Sequence, residues 1–206
     1  MASSAATEKK FTAFVDRNFE SVCLDAKAEV LWNQLLKNLD LTELFPSHIA
    51  KCSLLVPQDT QSMEKERMSG KAEVTVNNVK YLDFAIKPAL AGANAAALFE
   101  CPVAIGSLRH VVYQNGSSYV FRVTEISELK NRISFELVET EADVPYSSVL
   151  HLFRVYPVTE NDKCLFTWET FFSPDADPKF VSETKGKKFG YFRDLKESIG
   201  TRIKGA

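Results

Sequence analysis

The chain has 206 residues, with 25 Lys and Arg against 27 Asp and Glu, which leaves a net charge of −2 at neutral pH. Hydrophobic residues make up 45%, and Gly and Pro number only eight each. This composition is typical of a globular protein and excludes a disordered or linker-rich chain. The near-balanced charge gives no overall electrostatic case for nucleic-acid binding, so no nucleic-acid partner is expected.

We expect neither a membrane span nor a secretory signal in this sequence. The longest uncharged stretch, 88–99, has 12 residues, whereas a span needs about 20 apolar residues. The N-terminal segment 1–16 is small and polar and is predicted to be a disordered tail. We expect residues 17–206 to form a single domain of a cytoplasmic protein, with an insertion at about 57–100. The four cysteines are too widely spaced for zinc or redox pairs, so we interpret them as reduced thiols.

The first part of the chain predicts one strand, two short helices and a second strand. Asp25 is suited to cap the first helix, since its carboxylate can accept hydrogen bonds from the free amides of the first turn. Apolar residues then recur at helical spacing, and Pro46 stops the second helix. The predicted ranges are 19–24 for the first strand, 26–38 and 41–45 for the helices, about 48–56 for the second strand, and 72–86 for one or two further strands with a turn at 77–78.

Five more strands separated by short turns predict an antiparallel meander, because only antiparallel strands can be joined by connections of a few residues. The pattern then changes at Asp177, an N-cap residue followed by Pro178 at the first helical position. From 179 to about 204, apolar residues recur every three to four positions, which predicts one long amphipathic helix. The predicted strands of the meander are 106–113, 119–126, 133–139, 147–156 and 165–172.

These elements predict an α+β fold, in which a curved antiparallel sheet wraps around the long C-terminal helix. Such a sheet leaves space between its concave face and the helix, and strand alternation indicates which side chains line that space. By this alternation His110 and His151 face solvent, whereas Leu150 and Leu152 face inward. The alternative is that the inward aromatic rings fill a solid core. The predicted ligand-binding residues are Arg109, Val111, Tyr113, Phe121, Val123, Phe135, Leu137, Tyr146, Ser148, Trp168, Phe189 and Phe192.

Arg109 is the strongest polar candidate in this set. A guanidinium in an apolar pocket needs an acceptor, and a ligand carboxylate, enol or carbonyl supplies one. Glu125 is the second candidate for orienting a ligand or for catalysis. The structural alternative is that Arg109 forms an ion pair with one of the glutamates Glu125, Glu136 and Glu169. The sequence predicts no metal site, no nucleophilic triad and no phosphate-binding glycine loop, and no cofactor is expected.

The order of the elements and three stretches of sequence resemble the helix-grip superfamily, over about residues 17–204. This superfamily includes START lipid-transfer domains, polyketide cyclases, birch-pollen-type allergens and the plant abscisic acid receptors. The resemblance implies a helix-grip fold that binds a hydrophobic or amphipathic small molecule or lipid in an internal cavity. The three stretches are Ala28-Glu29-Val30-Leu31-Trp32-Asn33-Gln34-Leu35-Leu36 (with Leu41 and Pro46 downstream), Gly106-Ser107-Leu108-Arg109-His110-Val111, which is similar to the family's Gly-x-Val-Arg strand, and Ser198-Ile199-Gly200.

Within this superfamily the chain is most similar to the plant cyclase-type branch that includes the lachrymatory-factor synthase. In that branch a strand arginine works with a glutamate at the head of a Glu-x-Leu-like strand motif. The arginine is present here as Arg109. Phe121 occupies the glutamate position, and Glu125 lies four residues further on. The resemblance therefore implies a cyclase, isomerase or hydratase as the alternative to ligand binding.

The C-terminal segment 178–206 is basic, with eight Lys or Arg against three acidic residues. One interpretation is a solvated outer face. The other is transient contact with an anionic membrane, where each favourable charge contributes about 1 kcal/mol. Three functions follow from the sequence: binding or transport of a hydrophobic small molecule or lipid, catalysis through Arg109 in the same cavity, and protein interaction by a domain with a filled core.

Overall fold

The computed structural model describes residues 16–36, 39–57, 73–77, 79–85 and 103–204. The predicted disordered tail falls almost wholly outside the described residues. The strands within these ranges are β1 (Asp16–Leu24), β2 (Ile49–Pro57), β3 (Glu73–Val76), β4 (Val79–Ala85), β5 (Leu108–Tyr113), β6 (Ser118–Ser127), β7 (Arg132–Thr140), β8 (Val149–Val158) and β9 (Lys163–Phe172), and the helices are α1 (Ala28–Leu31), α2 (Leu41–Leu44) and α3 (Pro178–Lys204).

The nine described strands form one antiparallel sheet in the order β1-β9-β8-β7-β6-β5-β2-β4-β3. Strands β5 to β9 pair in succession, as the short connections predict. The ladder is irregular between Ile49 and Lys51 in β2 and at two places in β6, and such bulges bend a strand. The curved sheet packs its concave face against α3. The fold class predicted from the sequence is therefore confirmed.

The first helix differs from its prediction. Helix α1 begins at Ala28, after Lys27, and continues as a π-helical turn at Trp32–Leu36. Asp25 does not cap it, because its carboxylate lies 2.7 Å from the Lys163 ammonium instead. Helix α2 does have a side-chain cap, in which Asp40 accepts a hydrogen bond from the Thr42 amide at 3.0 Å.

The hairpin β3–β4 continues the sheet at the β2 edge and packs back against its outer face. Val76 is buried in a small apolar cluster with Leu55 and Val120. At the hairpin turn, the Asn77 amide donates to Glu139 Oε2 on β7 at 3.2 Å. The hairpin falls within the predicted insertion at 57–100, most of which lies outside the described residues. The structure thus places the described part of this segment on the face opposite α3.

Helix α3 begins where the sequence predicts, with the Lys179 amide bonded to Asp177 Oδ1 at 2.9 Å. In its C-terminal half, Phe192, Leu195 and Ile199 are buried in the main core. Asp194 accepts hydrogen bonds from the Ser47 amide at 2.8 Å and the Ser47 hydroxyl at 2.5 Å. This half of α3 is therefore fixed to the segment between α2 and β2. In the described part of the chain, no helix is long and apolar enough to span a bilayer.

Candidate functional site

A cavity of about 390 Å³ lies between the concave face of the sheet and the N-terminal half of α3. From α3, the side chains of Phe180, Thr184, Lys188 and Tyr191 line it at spacings of three or four residues, so they occupy one face of the helix. Most of the lining from the sheet is aromatic. The main members of that wall are Tyr113, Tyr119, Phe121, His151, Trp168 and Phe172.

Four of the twelve predicted ligand-binding residues line this cavity, namely Tyr113, Phe121, Tyr146 and Trp168. Four others, Val111, Val123, Phe135 and Phe192, are buried in the packed core, and Leu137 packs against it. Ser148 is half-buried, and its amide donates to Ser173 Oγ at 3.0 Å. Phe189 is 63% exposed, so its predicted inward direction is wrong. The helix face that meets the core runs through Phe192 and Leu195 and not through Phe189.

Arg109 is buried on the same face of β5 as Val111, but it is not among the residues that line the cavity. Glu125 is paired with Arg132, so the two residues proposed for catalysis do not meet in this space. Each glutamate suggested as a structural partner of Arg109 pairs with another arginine in the described part of the chain. Those pairs are Glu125 with Arg132, Glu136 with Arg122, and Glu169 with Arg17.

His151 lies at the cavity, which corrects its predicted exposure to solvent. In β8 the buried residues are Val149, Phe153 and Val155, so odd-numbered side chains face inward and Leu150 and Leu152 do not. The prediction carried the alternation from Tyr146 into β8. The strand begins only at Val149, and the irregular residues before it shift the count by one.

Hydrogen bonds fix the His151 ring among aromatic side chains. Trp168 Nε1 donates to His151 Nδ1 at 3.2 Å, and Thr170 Oγ1 lies 3.1 Å from the same nitrogen. The rings of Phe121 and Phe135 contact the imidazole with centroid distances of 5.6 and 5.3 Å. Burial, together with the nearby Lys188 charge, lowers the pKa of His151 to about 3. The imidazole is therefore neutral at physiological pH.

Lys188 is the second polar group that the sequence analysis missed. Its side chain reaches from α3 to the sheet, where Nζ donates to the Trp168 carbonyl at 3.1 Å and lies 2.8 Å from Glu20 Oε2 on β1. Burial lowers the pKa of Lys188, and the Glu20 carboxylate opposes that shift. The residue is only 1% exposed, so the interpretation of the basic helix as a solvated face does not apply to it. Helical spacing indicates its inward direction, because Lys188 is four residues before Phe192 and four after Thr184.

Tyrosine hydroxyls supply further polar groups around the cavity. Burial raises the pKa of Tyr113 and Tyr146 well above the usual value, and raises that of Tyr191 to about 12. Their hydroxyls therefore stay protonated and can donate or accept a hydrogen bond. His48 stacks on Tyr191 with ring centroids 4.0 Å apart.

Among the described residues, no group of His, Cys, Asp and Glu could hold a metal ion.

Comparisons with known proteins identify the fold. No protein-family model and no curated protein matches the chain. A solved structure from Nitrosospira multiformis is similar, with a TM-score of 0.56 and 16% identity over 88% of this chain and 94% of that one. Ginseng major latex-like protein 151 from Panax ginseng has a TM-score of 0.52 and 13% identity, over 90% and 97%. An uncharacterised protein from Bacillus thuringiensis has a TM-score of 0.54 and 12% identity, over 89% and 98%.

The chain has the helix-grip fold. The neighbours match nearly the whole of their own lengths, and the curved antiparallel sheet, the two short helices after β1 and the long α3 occur in the predicted order. At these sequence identities the likeness extends to the fold alone. Function has to be argued from the cavity itself.

Proposed function

We propose that this protein binds a small hydrophobic or amphipathic molecule in the cavity between α3 and the sheet. The observation that carries the proposal is the cavity itself, about 390 Å³ in volume and walled mainly by aromatic rings, with Lys188 and His151 at its surface. Ligand sites in proteins are typically about 300–1,000 Å³, mostly apolar, with a few polar groups that orient the ligand.

The size of the cavity narrows the class of ligand. A volume near the lower end of the usual range suits a compact molecule with one or two rings better than a lipid with two acyl chains. Burial of its apolar surface contributes about 25 cal/mol per Å² before the costs of ordering are subtracted. We therefore favour a small ring compound over the lipid ligand that the sequence also suggested.

Three finer sequence predictions stay outside this proposal. The cyclase-type chemistry was predicted to use Arg109 with an acid from Glu125 or a tyrosine; tyrosines line the cavity, but Arg109 and Glu125 do not. The cytoplasmic location and the contact of α3 with an anionic membrane remain predictions. One of the lysines counted for that contact, Lys188, is turned into the protein.

A neutral fluorescent probe tests the proposal. Prodan, a small uncharged naphthalene dye, should bind the wild-type protein saturably at one site. Thr184→Phe places a ring in the cavity and should weaken prodan binding by about tenfold or more, because the added ring occupies ligand space. Ser182→Phe is the matched control, since Ser182 is exposed on the same helix, and it should bind like the wild type. Absence of saturable binding, or equal affinity in the two variants, would contradict the proposal.

A further inference from the structure

The charges at the cavity are of one sign. Its charged lining residues, within the described part of the chain, are Lys187 and Lys188, and no described aspartate or glutamate lines it. The whole chain has a net charge of −2, so this local excess of positive charge is not a reflection of overall composition. Glu20 offsets Lys188 from behind, on β1, which leaves the charge of Lys187 as the local excess at the cavity.

The hydrogen bond from Trp168 determines which nitrogen of His151 carries the proton. An indole Nε1–H can only donate, so Nδ1 of His151 must be the acceptor. The neutral ring then carries its proton on Nε2. The hydrogen bonds of His151 found among the described residues are all made at Nδ1, and the residue lines the cavity. Nε2–H is thus a donor for whatever binds there.

Lys188 is placed to donate to the same occupant. An ammonium group has three N–H donors. Among the described residues, one is donated to the Trp168 carbonyl, and a second side of the ammonium faces its counter-ion Glu20, whose Oε2 lies 2.8 Å from Nζ without a regular hydrogen bond. The third is available to a ligand, and the two contacts already made hold the amine in position. Lys188, which is charged, and His151, whose tautomer is fixed, are therefore both hydrogen-bond donors at this cavity.

From this arrangement we propose that the ligand is a small aromatic or alicyclic carboxylate, whose carboxylate accepts hydrogen bonds from Lys188 Nζ and His151 Nε2. The inference depends on the proposed function and adds the chemical class of the ligand to it. The aromatic wall receives the ring system, and the paired donors receive the acidic group. Donor pairs of this kind favour an anion over a neutral group of the same shape.

Two near-isosteric probes test the preference. Isothermal titration of the full chain at pH 7.5 should show 2-naphthoate binding about tenfold or more tighter than neutral 2-naphthamide. If prodan binds but the two naphthalene probes have equal affinity, or the amide binds more tightly, the carboxylate inference fails and the proposed function stands. If prodan also fails to bind, both fail.

Substitutions locate the preference at Lys188. Lys188→Met alone would leave Glu20 buried without its partner, so the test uses the double variant Glu20→Gln with Lys188→Met, which removes both charges. Its naphthoate preference should fall several-fold, because the Lys188 donor is lost while the charge of Lys187 stays at the cavity. Lys185→Met, which alters an exposed lysine on the same helix, should keep the full preference. Retention of the preference in the double variant would overturn the inference.

A measurement on the wild-type protein avoids any effect of substitution on folding. Nitrogen-15 NMR of the imidazole should identify His151 as the Nε2–H tautomer, and its Nε2 resonance should shift on addition of 2-naphthoate but not of 2-naphthamide. A proton on Nδ1, or the same shift with both probes, would contradict the proposed donor.

Discussion

The two halves of α3 lie on the same sheet, but one half packs tightly against it and the other leaves a cavity. In the C-terminal half, Phe192, Leu195 and Ile199 fill the space beneath them. In the N-terminal half, the positions on the same helical face are Thr184 and Lys188, and a cavity lies beneath them. The backbone periodicity is continuous through both halves, so the difference lies in the side chains. A threonine is too short to fill the space, and a lysine whose amine must stay hydrogen-bonded fills it with a polar group.

The comparison shows what amphipathic spacing does and does not determine. Spacing decides which face of a helix turns inward. Whether that face forms a solid core or one wall of a site depends on the volume and polarity of each side chain. The packed half also has a third layer, because α1 and α2 contribute Leu31 and Leu44 to the same core.

Removal of a side chain from the packed half should have the largest effect. Leu195 is fully buried, so Leu195→Ala should lower the free energy of unfolding by about 3 kcal/mol through lost burial and the cavity left behind. Thr184→Ala in the other half should change it by less than about 1 kcal/mol, because the hydrogen bond that its hydroxyl makes among the described residues is to its own helix and alanine has the higher helix propensity. Urea unfolding followed by tryptophan fluorescence measures both. Equal losses at the two sites would contradict the distinction between the halves.

The pH dependence of stability should be traceable to His151. Its pKa falls from the usual 6.5 to about 3 in the folded protein, so below pH 6.5 the unfolded chain takes up a proton that the folded chain does not. Stability attributable to this residue is therefore lost as the pH falls, by about 2 kcal/mol between pH 7 and pH 5.

The matched variant for this prediction is His151→Gln, which keeps an acceptor for Trp168 but does not titrate. Urea unfolding at pH 7 and pH 5 should show a smaller loss in this variant than in the wild type, by about the 2 kcal/mol assigned to the histidine. Parallel losses in the two proteins would show that His151 is not the group responsible.

The sequence predicts much of the fold and less of the site, for physical reasons. Strand alternation and the Asp177–Pro178 helix start are local signals, and they locate the meander and α3 to within a few residues. The inward direction of His151 depends on where β8 begins, which an irregular segment obscures. Helical spacing from Phe192 is enough to predict that Lys188 faces inward. Its partner Glu20 is distant in sequence, so the ion pair that allows a buried lysine there could not be found from local pattern.

Alanine substitutions at two glycines one turn apart on α3 should have the smallest effects. A Cβ on Gly190 would lie 2.7 Å from His48 Nε2, whereas one on Gly186 would meet nothing within 4 Å. Gly186→Ala should therefore raise stability by up to about 1 kcal/mol through helix propensity. Gly190→Ala gains the same propensity but must displace the ring that stacks on Tyr191, and should lower stability by about 1 kcal/mol. The midpoint temperatures of thermal unfolding of the two variants should shift in opposite directions relative to the wild type. A shift in the same direction would show that His48 moves aside at little cost.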